Sequence, residues 1–320
     1  MIDDLIQSPL QQLQEEAFRL RKIHFGDELT FSFPGTLAYG QEGLRSHSER
    51  FAAISVTGRH CDLRCTHCRG TLLESMIPAD DPETFAGEMD RLRSAGAHGV
   101  LVSGGADRNG TVPLRNFIPV IDRMKQKDSQ FRIIVHTGLI EEGDAQGLKS
   151  AGVDQILIDV IGDDDTIREV YRLNKRVEDY EKTLRMLKKK GLRLAPHIII
   201  GHHFGEVRGE WRALEMITAI GVETLVLVVI KPLERTGMKQ IRIPSPEETA
   251  RISAVARILN PALPIRTGCI RPAHPSKAVM ERGFIDSGVN TLAYPLQGTI
   301  DYAKEIGLKT RSVEMCCSLV

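Results

Sequence analysis

Short, continuous apolar runs alternate with amphipathic stretches along most of this chain. Residues 8–24 carry Leu10, Leu13, Ala17, Leu20 and Ile23 at helical spacing, with Glu15, Glu16, Arg19, Arg21 and Lys22 as an expected solvated face. Residues 29–33 read as a short strand that stops at Pro34-Gly35, and the polar residues 36–50 read as a crossing loop. From Ala52 the rhythm becomes regular. Apolar strand-like runs lie at 52–56, 98–103, 133–137, 153–159, 192–200, 224–230, 263–268 and 289–293. Helix-like stretches lie near 82–94, 141–150, 177–190, 246–259 and 297–306, and Asp163, Asp164 and Asp165 suit the start of another. Runs apolar on both faces are what a buried parallel strand requires. Eight of them, at roughly 30-residue spacing, predict an α/β chain folded as a closed, TIM-type (β/α)8 barrel. Residues 1–50 then form an N-terminal helix and strand extension, 51–307 the barrel, and 308–320 a tail.

Composition narrows the function classes. A chain of 320 residues that is 42% hydrophobic can bury the core of one large barrel. Lys plus Arg and Asp plus Glu both number 42, so no basic field exists to attract nucleic acid or an anionic membrane. No apolar run reaches the 18 or so residues of a membrane helix, and no signal peptide is legible at the start. The expected location is the cytoplasm, where six cysteines read as ligands rather than disulfides.

Three of those cysteines lie within eight residues, in Cys61-Asp-Leu-Arg-Cys65-Thr-His-Cys68. Three thiolates on one loop can hold three irons of a four-iron cluster and leave the fourth iron open. The rival is a zinc knuckle, which ordinarily uses paired Cys-x2-Cys units with four ligands. Only Cys65 and Cys68 have that spacing. Thr57-Gly58 ends the preceding strand and delivers the loop at its C-terminal end, where parallel barrels place their chemistry.

This Cys-x3-Cys-x2-Cys loop resembles the radical S-adenosylmethionine (SAM) superfamily. The resemblance implies that Cys61, Cys65 and Cys68 hold a 4Fe-4S cluster that cleaves SAM to a 5′-deoxyadenosyl radical. It implies further that His67 packs near the adenine and that Gly104 and Gly105 bind the SAM amino group, although the usual acidic third position is Ala106. Asp159 matches a ribose-binding position, with capping of the following loop as its ordinary alternative. His197 and Gly201 match the strand that flanks the adenine. His202 and His203 could be metal ligands, but as adjacent histidines in a loop they read rather as solvated or hydrogen-bonded. Lys231-Pro-Leu-Glu-Arg-Thr-Gly-Met238 looks like the loop after the sixth strand of biotin-synthase-like enzymes.

Cys269, in Gly268-Cys-Ile-Arg271-Pro272, and the tail pair Cys316-Cys317 form a second set. If the tail lies over the barrel mouth, these three favour an auxiliary 4Fe-4S cluster over free thiols. One tail cysteine with Arg266, Arg271, Ser312 or Ser318 is another arrangement. Biotin synthases place auxiliary cysteines on middle strands, where this chain has Ser103, His136 and His197. The Gly-Cys-x-Arg-Pro and Cys-Cys segments instead resemble the archaeal-type, two-protein lipoyl synthases. That resemblance implies sulfur insertion into an octanoyl chain on a lipoyl carrier domain. It also implies a second synthase protein and a ferredoxin- or flavodoxin-type reductant as partners. Two alternatives stay open: a biotin-synthase-like or other radical SAM reaction on a free small molecule, and a non-catalytic iron–sulfur scaffold or electron-transfer protein.

Overall fold

A computed structural model describes residues 2–35, 40–41, 44–45 and 49–320. The expected loop at 36–50 therefore lies largely outside the described residues. Only a two-residue antiparallel ladder, Gly40–Gln41 with Leu44–Arg45, is placed there.

The strands are β1 (Glu28–Ser32), β2 (Phe51–Ser55), β3 (Gly99–Ser103), β4 (Arg132–His136), β5 (Gln155–Asp159), β6 (Leu194–Ile200), β7 (Leu225–Val229), β8 (Ile265–Thr267), β9 (Thr291–Ala293) and β10 (Lys309–Val313). β2 to β9 are the eight expected strands, and they pair in parallel in sequence order. Helices follow them: α3 (Pro82–Ser94), α4 (Ile118–Lys127), α5 (Glu142–Ser150), α6 (Val177–Lys189), α7 (Glu210–Ile220), α8 (Pro246–Leu259), α9 (Lys277–Asp286) and α10 (Gln297–Glu305). Two helices precede the barrel, α1 (Ile2–Gln7) and α2 (Leu10–Phe25). Local chemistry fixes the helix starts. Asp81 accepts from the backbone N–H groups of Glu83 and Thr84 ahead of Pro82, and Ser245 forms a capping box with Glu248.

The ring differs from the expected closed one. Among the described residues β9 does not pair with β2. β1 pairs in parallel with β9 and β10 with β1, so the curled sheet has eleven strands, with β10 at one edge and the two-residue strand Ile77–Pro78 at the other. The backbone N–H of Gly35 donates to Phe51 O and ties the end of β1 to the start of β2.

One reading of α2 is corrected. Arg21 was expected in solvent, yet it is fully buried and donates to the carbonyls of Gly26, Glu28 and Val289. It satisfies backbone oxygens where the helix ends and β1 begins. Ile23, expected on the apolar face, is 61% exposed.

The tail is also placed differently from the expectation that it covers the mouth. Its first half is the edge strand β10. Residues Val313–Met315 then share a surface hollow with Ala97, His98 and Gln130–Arg132, which lead into the N-terminal ends of β3 and β4. The final turn, Cys317–Leu319, packs on β7, β8 and β9. The strands tilt around the barrel, so the end of the extra edge strand falls at the lower rim. The tail enters from there and floors the lumen.

A buried ion pair secures the segment after β8. Arg271 donates to Thr267 Oγ1, the carbonyls of Gly268, Ala293 and Tyr294, and Glu281 Oε1 at 3.1 Å. Glu281, fully buried on α9, also accepts from Leu296 N and Thr299 Oγ1. Removing one partner of such a pair leaves the other charge buried and uncompensated. Glu281→Ala is therefore expected to destabilise the protein by about 3–5 kcal/mol, read as a lower denaturant midpoint, with Glu281→Gln losing less.

Candidate active site

The strand C-terminal ends open into one cavity of about 320 Å³. Its roof is the loop 57–70. Thr57 Oγ1 accepts from Gly105 N at 2.7 Å and donates to His60 O, while Ala106 O accepts from Asp62 N and Leu63 N. Arg64 and Arg69 adopt left-handed backbone angles, at φ 43° and 50°, so the loop doubles back twice within six residues. The result is that Cys61, Cys65 and Cys68 all face the cavity.

Gly105 must be glycine for this contact. A Cβ there would lie 2.0 Å from His60 O and 2.6 Å from the Cys61 Cα. Gly104 is tighter than usual, with Thr57 and Val112 side chains 3.2 Å from a Cβ position. Both glycines line the cavity beside the thiols, and so present bare backbone to it. Ala106 leaves the third position without a carboxylate. Asp107 does not replace it, because its Oδ1 accepts from Asn109 N and Thr111 N.

The thiols share their protons unequally. A hydrogen bond from Cys65, aided by neighbouring His67, presses the Cys68 thiol down to about 4 against the opposing effect of burial. The same bond, together with burial, raises Cys65. His67 loses solvation by burial, but Cys68 and Asp159 outweigh that and raise it. Three thiols on one cavity wall, one of them already disposed to ionise, suit a cluster bound through thiolates.

Below the roof, inward residues alternate along β3 to β7. Leu101, Leu157, Ile199 and Val228 supply apolar wall, while Ser103, His136, Asp159 and His197 supply polar atoms. Asp159 sits at the cavity rather than capping its loop. His136 Nε2 is 3.5 Å from Asp159 Oδ1, and Tyr171 OH is 3.5 Å from Asp159 Oδ2. Burial would raise the Asp159 carboxyl, but His136 and then His197 hold it well below the usual range. Burial pushes His197 down to about 4.

The remaining expected residues divide. Gly201 does not line the cavity. Its backbone, at φ +79°, packs under Pro244 and donates to the buried Glu210 Oε1. His203 meets Thr166 Oγ1 and Arg208, as expected of a hydrogen-bonded loop residue. His202 instead is buried against His67 and Tyr171, with ring centroids 4.9 and 5.0 Å away, and neither of its ring nitrogens has a protein partner. Tyr171 was missed in the sequence. It closes a single π-helical turn, Ile167–Tyr171, behind the acidic run, and no simple periodicity marks such a turn.

The floor brings the second cysteine set to the same space. Cys269, Cys316 and Cys317 all line the cavity. A hydrogen bond between the tail thiols, helped by Ser318 and Arg266, presses Cys316 down to about 7 and leaves Cys317 raised. Arg266 Nη1 donates to Cys317 O at 2.8 Å, and Arg266 Nε is buried without a partner. Ser318 Oγ is 3.4 Å from Cys316 Sγ. Ser312 is exposed on β10, and Arg271 is engaged with Glu281 and backbone carbonyls.

The contact at Gly105 is open to a direct test. Gly105→Ala should displace the Cys61 loop and cost roughly four irons per chain after anaerobic reconstitution. Iron analysis checks this, and an unchanged circular dichroism spectrum would show that the barrel itself survives.

Solved structures share this architecture. Methylornithine synthase (PylB) aligns with a TM-score of 0.66 at 14% identity, covering 97% of this chain and 93% of that one. The FeFe-hydrogenase maturase HydG from Carboxydothermus hydrogenoformans aligns at 0.64 and 13% identity, covering 96% and 74%. Streptococcus suis SuiB bound to S-adenosylmethionine aligns at 0.55 and 13%, covering 83% and 58%. At these identities the likeness is one of fold. No curated protein matches the sequence. Among the described residues, no helix is long and apolar enough to cross a membrane. The domain match spans residues 55–217, just over half of the chain and the whole stretch from the end of β2 through the cysteine loop to α7, and it establishes that the chain belongs to the radical SAM superfamily.

Proposed function

We propose that this radical SAM enzyme inserts sulfur into an unactivated aliphatic chain, and that the chain is the octanoyl group of a lipoyl carrier domain. The observation that carries the reading is that both cysteine sets line one largely apolar cavity. Cys61, Cys65 and Cys68 would hold the superfamily's 4Fe-4S cluster, with Gly104, Gly105 and His67 around SAM. Cys269, Cys316 and Cys317 would hold an auxiliary 4Fe-4S cluster at the floor, with Arg266 or Ser318 the nearest group to complete it. When bound, one cluster would supply SAM cleavage and the other sulfide.

The chain's own residues do the placing. Leu101, Leu139, Leu157, Leu173 and Val228 line the same cavity as the thiols and suit a methylene chain rather than a polar metabolite. Holding a target carbon in that cavity removes the entropy cost of bringing three reactants together. Arg271 holds the segment that carries Cys269 by donating to the carbonyl of Gly268, just before it, and across to Ala293 on β9. This gives the Gly-Cys-x-Arg-Pro segment a positioning role. The barrel is the common scaffold of the fold; the floor thiols favour sulfur insertion over a rearrangement, which needs no second sulfur source. A carrier domain, a companion synthase and a low-potential reductant complete the proposal.

The test is a single turnover on anaerobically reconstituted protein with SAM, dithionite and an octanoyl-lysyl or mono-thiolated peptide. Wild type should add the mass of one sulfur. Cys316→Ala with Cys317→Ala should cleave SAM, contain roughly four irons rather than eight, and add no sulfur. SAM cleavage by wild type without sulfur gain on either peptide would overturn the lipoyl assignment.

A further inference from the structure

Among the residues that line the cavity, Lys231 is the only lysine or arginine. It stands two residues beyond the end of β7 and is exposed. It shares the cavity with the apolar side chains of Leu72, Leu73, Met76 and Leu233. No carboxylate of a described residue lies within ion-pair distance of it, and Glu234, exposed on the same loop, makes no ion pair with it.

The loop that carries this cation is anchored. Arg235 pairs with Glu74 at 3.3 Å, across to the turn that bears Leu72 and Leu73. A Cβ at Gly237 would lie 2.7 Å from Thr66 Cγ2, so the loop rests directly on the cysteine loop. Thr236 Oγ1 donates to Leu233 O and accepts from Met238 N, and the Met238 side chain is fully buried. The backbone at Lys231 is thus held in place before any ligand arrives, which lowers the ordering cost of using it.

A second cation stands near. Lys277 opens α9, eight residues after Cys269, and its Nζ is 3.6 Å from Glu281 Oε1. That oxygen already accepts from Arg271, and Glu281 Oε2 accepts from Leu296 N and Thr299 Oγ1. One carboxylate therefore serves two cations. Burial holds the Lys277 ammonium below its ordinary range against the pull of Glu281, and repulsion from Arg271 and Lys231 adds to the fall. The chain as a whole has equal numbers of acidic and basic residues, so this positive excess beside the cavity is local.

We infer that Lys231, supported by Lys277, is an anion subsite that takes a carboxylate carried next to the alkyl chain in the cavity. A methylene chain in amide linkage has no charge, so Lys231 adds nothing to its binding. The cation acts only on a charged neighbour, where it sets orientation and selects partners. The inference rests on the acyl-carrier reading and deepens it: the carboxylate is an aspartate or glutamate of the carrier close to its acylated lysine. A free alkanoic acid offers the same chemistry from its own end, and the experiment separates the two.

The probes are fluorescent octanoyl-lysyl peptides whose flanking residues are Glu, Gln or Lys, with free octanoate as competitor. Binding to cluster-reconstituted protein with SAM present is read by anisotropy at low ionic strength. Wild type should hold the Glu peptide about fivefold tighter than the Gln peptide, and salt should erase the difference. Lys231→Met should make the two equal, Lys277→Met should shrink the preference, and Lys231→Glu should invert it in favour of the Lys peptide. Unchanged iron content shows that the variants fold, and the inversion is an effect that a merely structural lysine would not produce. Equal binding of all three peptides by wild type overturns the inference, as does a Lys231→Glu variant without inversion. It is also overturned if Lys231→Met weakens SAM itself and leaves the peptide preference intact, or if octanoate binds through Lys231 while no peptide does. Lys231-dependent binding of the Glu peptide without sulfur gain keeps the subsite and removes the lipoyl assignment.

Discussion

In a parallel sheet that curls, alternate side chains point inward and every strand points the same way. That constraint places each chemical group in this protein. The cysteine loop, the glycine pair and the His136–Asp159–His197 trio come from strands far apart in sequence, yet all stand at one end of one lumen. Helices on the outside bury Val100, Val102, Ile133 and Val135, so the inner face is free to be chosen for chemistry rather than for packing. Hence the inner positions carry Ser103, His136, Asp159 and His197, residues a packed barrel interior would not tolerate.

Much of this was legible in the chain. Continuous apolar runs fix buried parallel strands whatever their partners, so β2 to β9 and their order follow from periodicity. The cysteine spacing is equally local: one loop supplies all three thiols. Gly105 is legible only in hindsight, because its need arises from the Cys61 backbone passing within van der Waals range, a contact between residues 44 positions apart.

What periodicity could not supply depends on pairing across the chain's ends. β9 presents a free edge that β1 takes, β10 then adds to β1, and neither strand's own pattern names its neighbour. The tail's route beneath the barrel follows from that pairing. Arg21 is misread for a related reason: a helical wheel assigns arginine to water, whereas the guanidinium here replaces water as the partner of three backbone oxygens. Gly201 matches a motif, but Pro244 and Glu210 account for its place.

The lumen itself has a thermodynamic consequence. Barrels of this type ordinarily fill the interior with layers of branched side chains. Here Gly268, Gly104 and Gly105 face it, and about 320 Å³ stays free of protein. Side chains that would fill such a space, and the packing they would supply, are absent. Whatever fills the space in the cell therefore also holds the fold together, by mass action on the native state. Cofactor supply and lifetime of the polypeptide are thereby linked: a chain starved of iron or SAM is a chain exposed to unfolding and proteolysis.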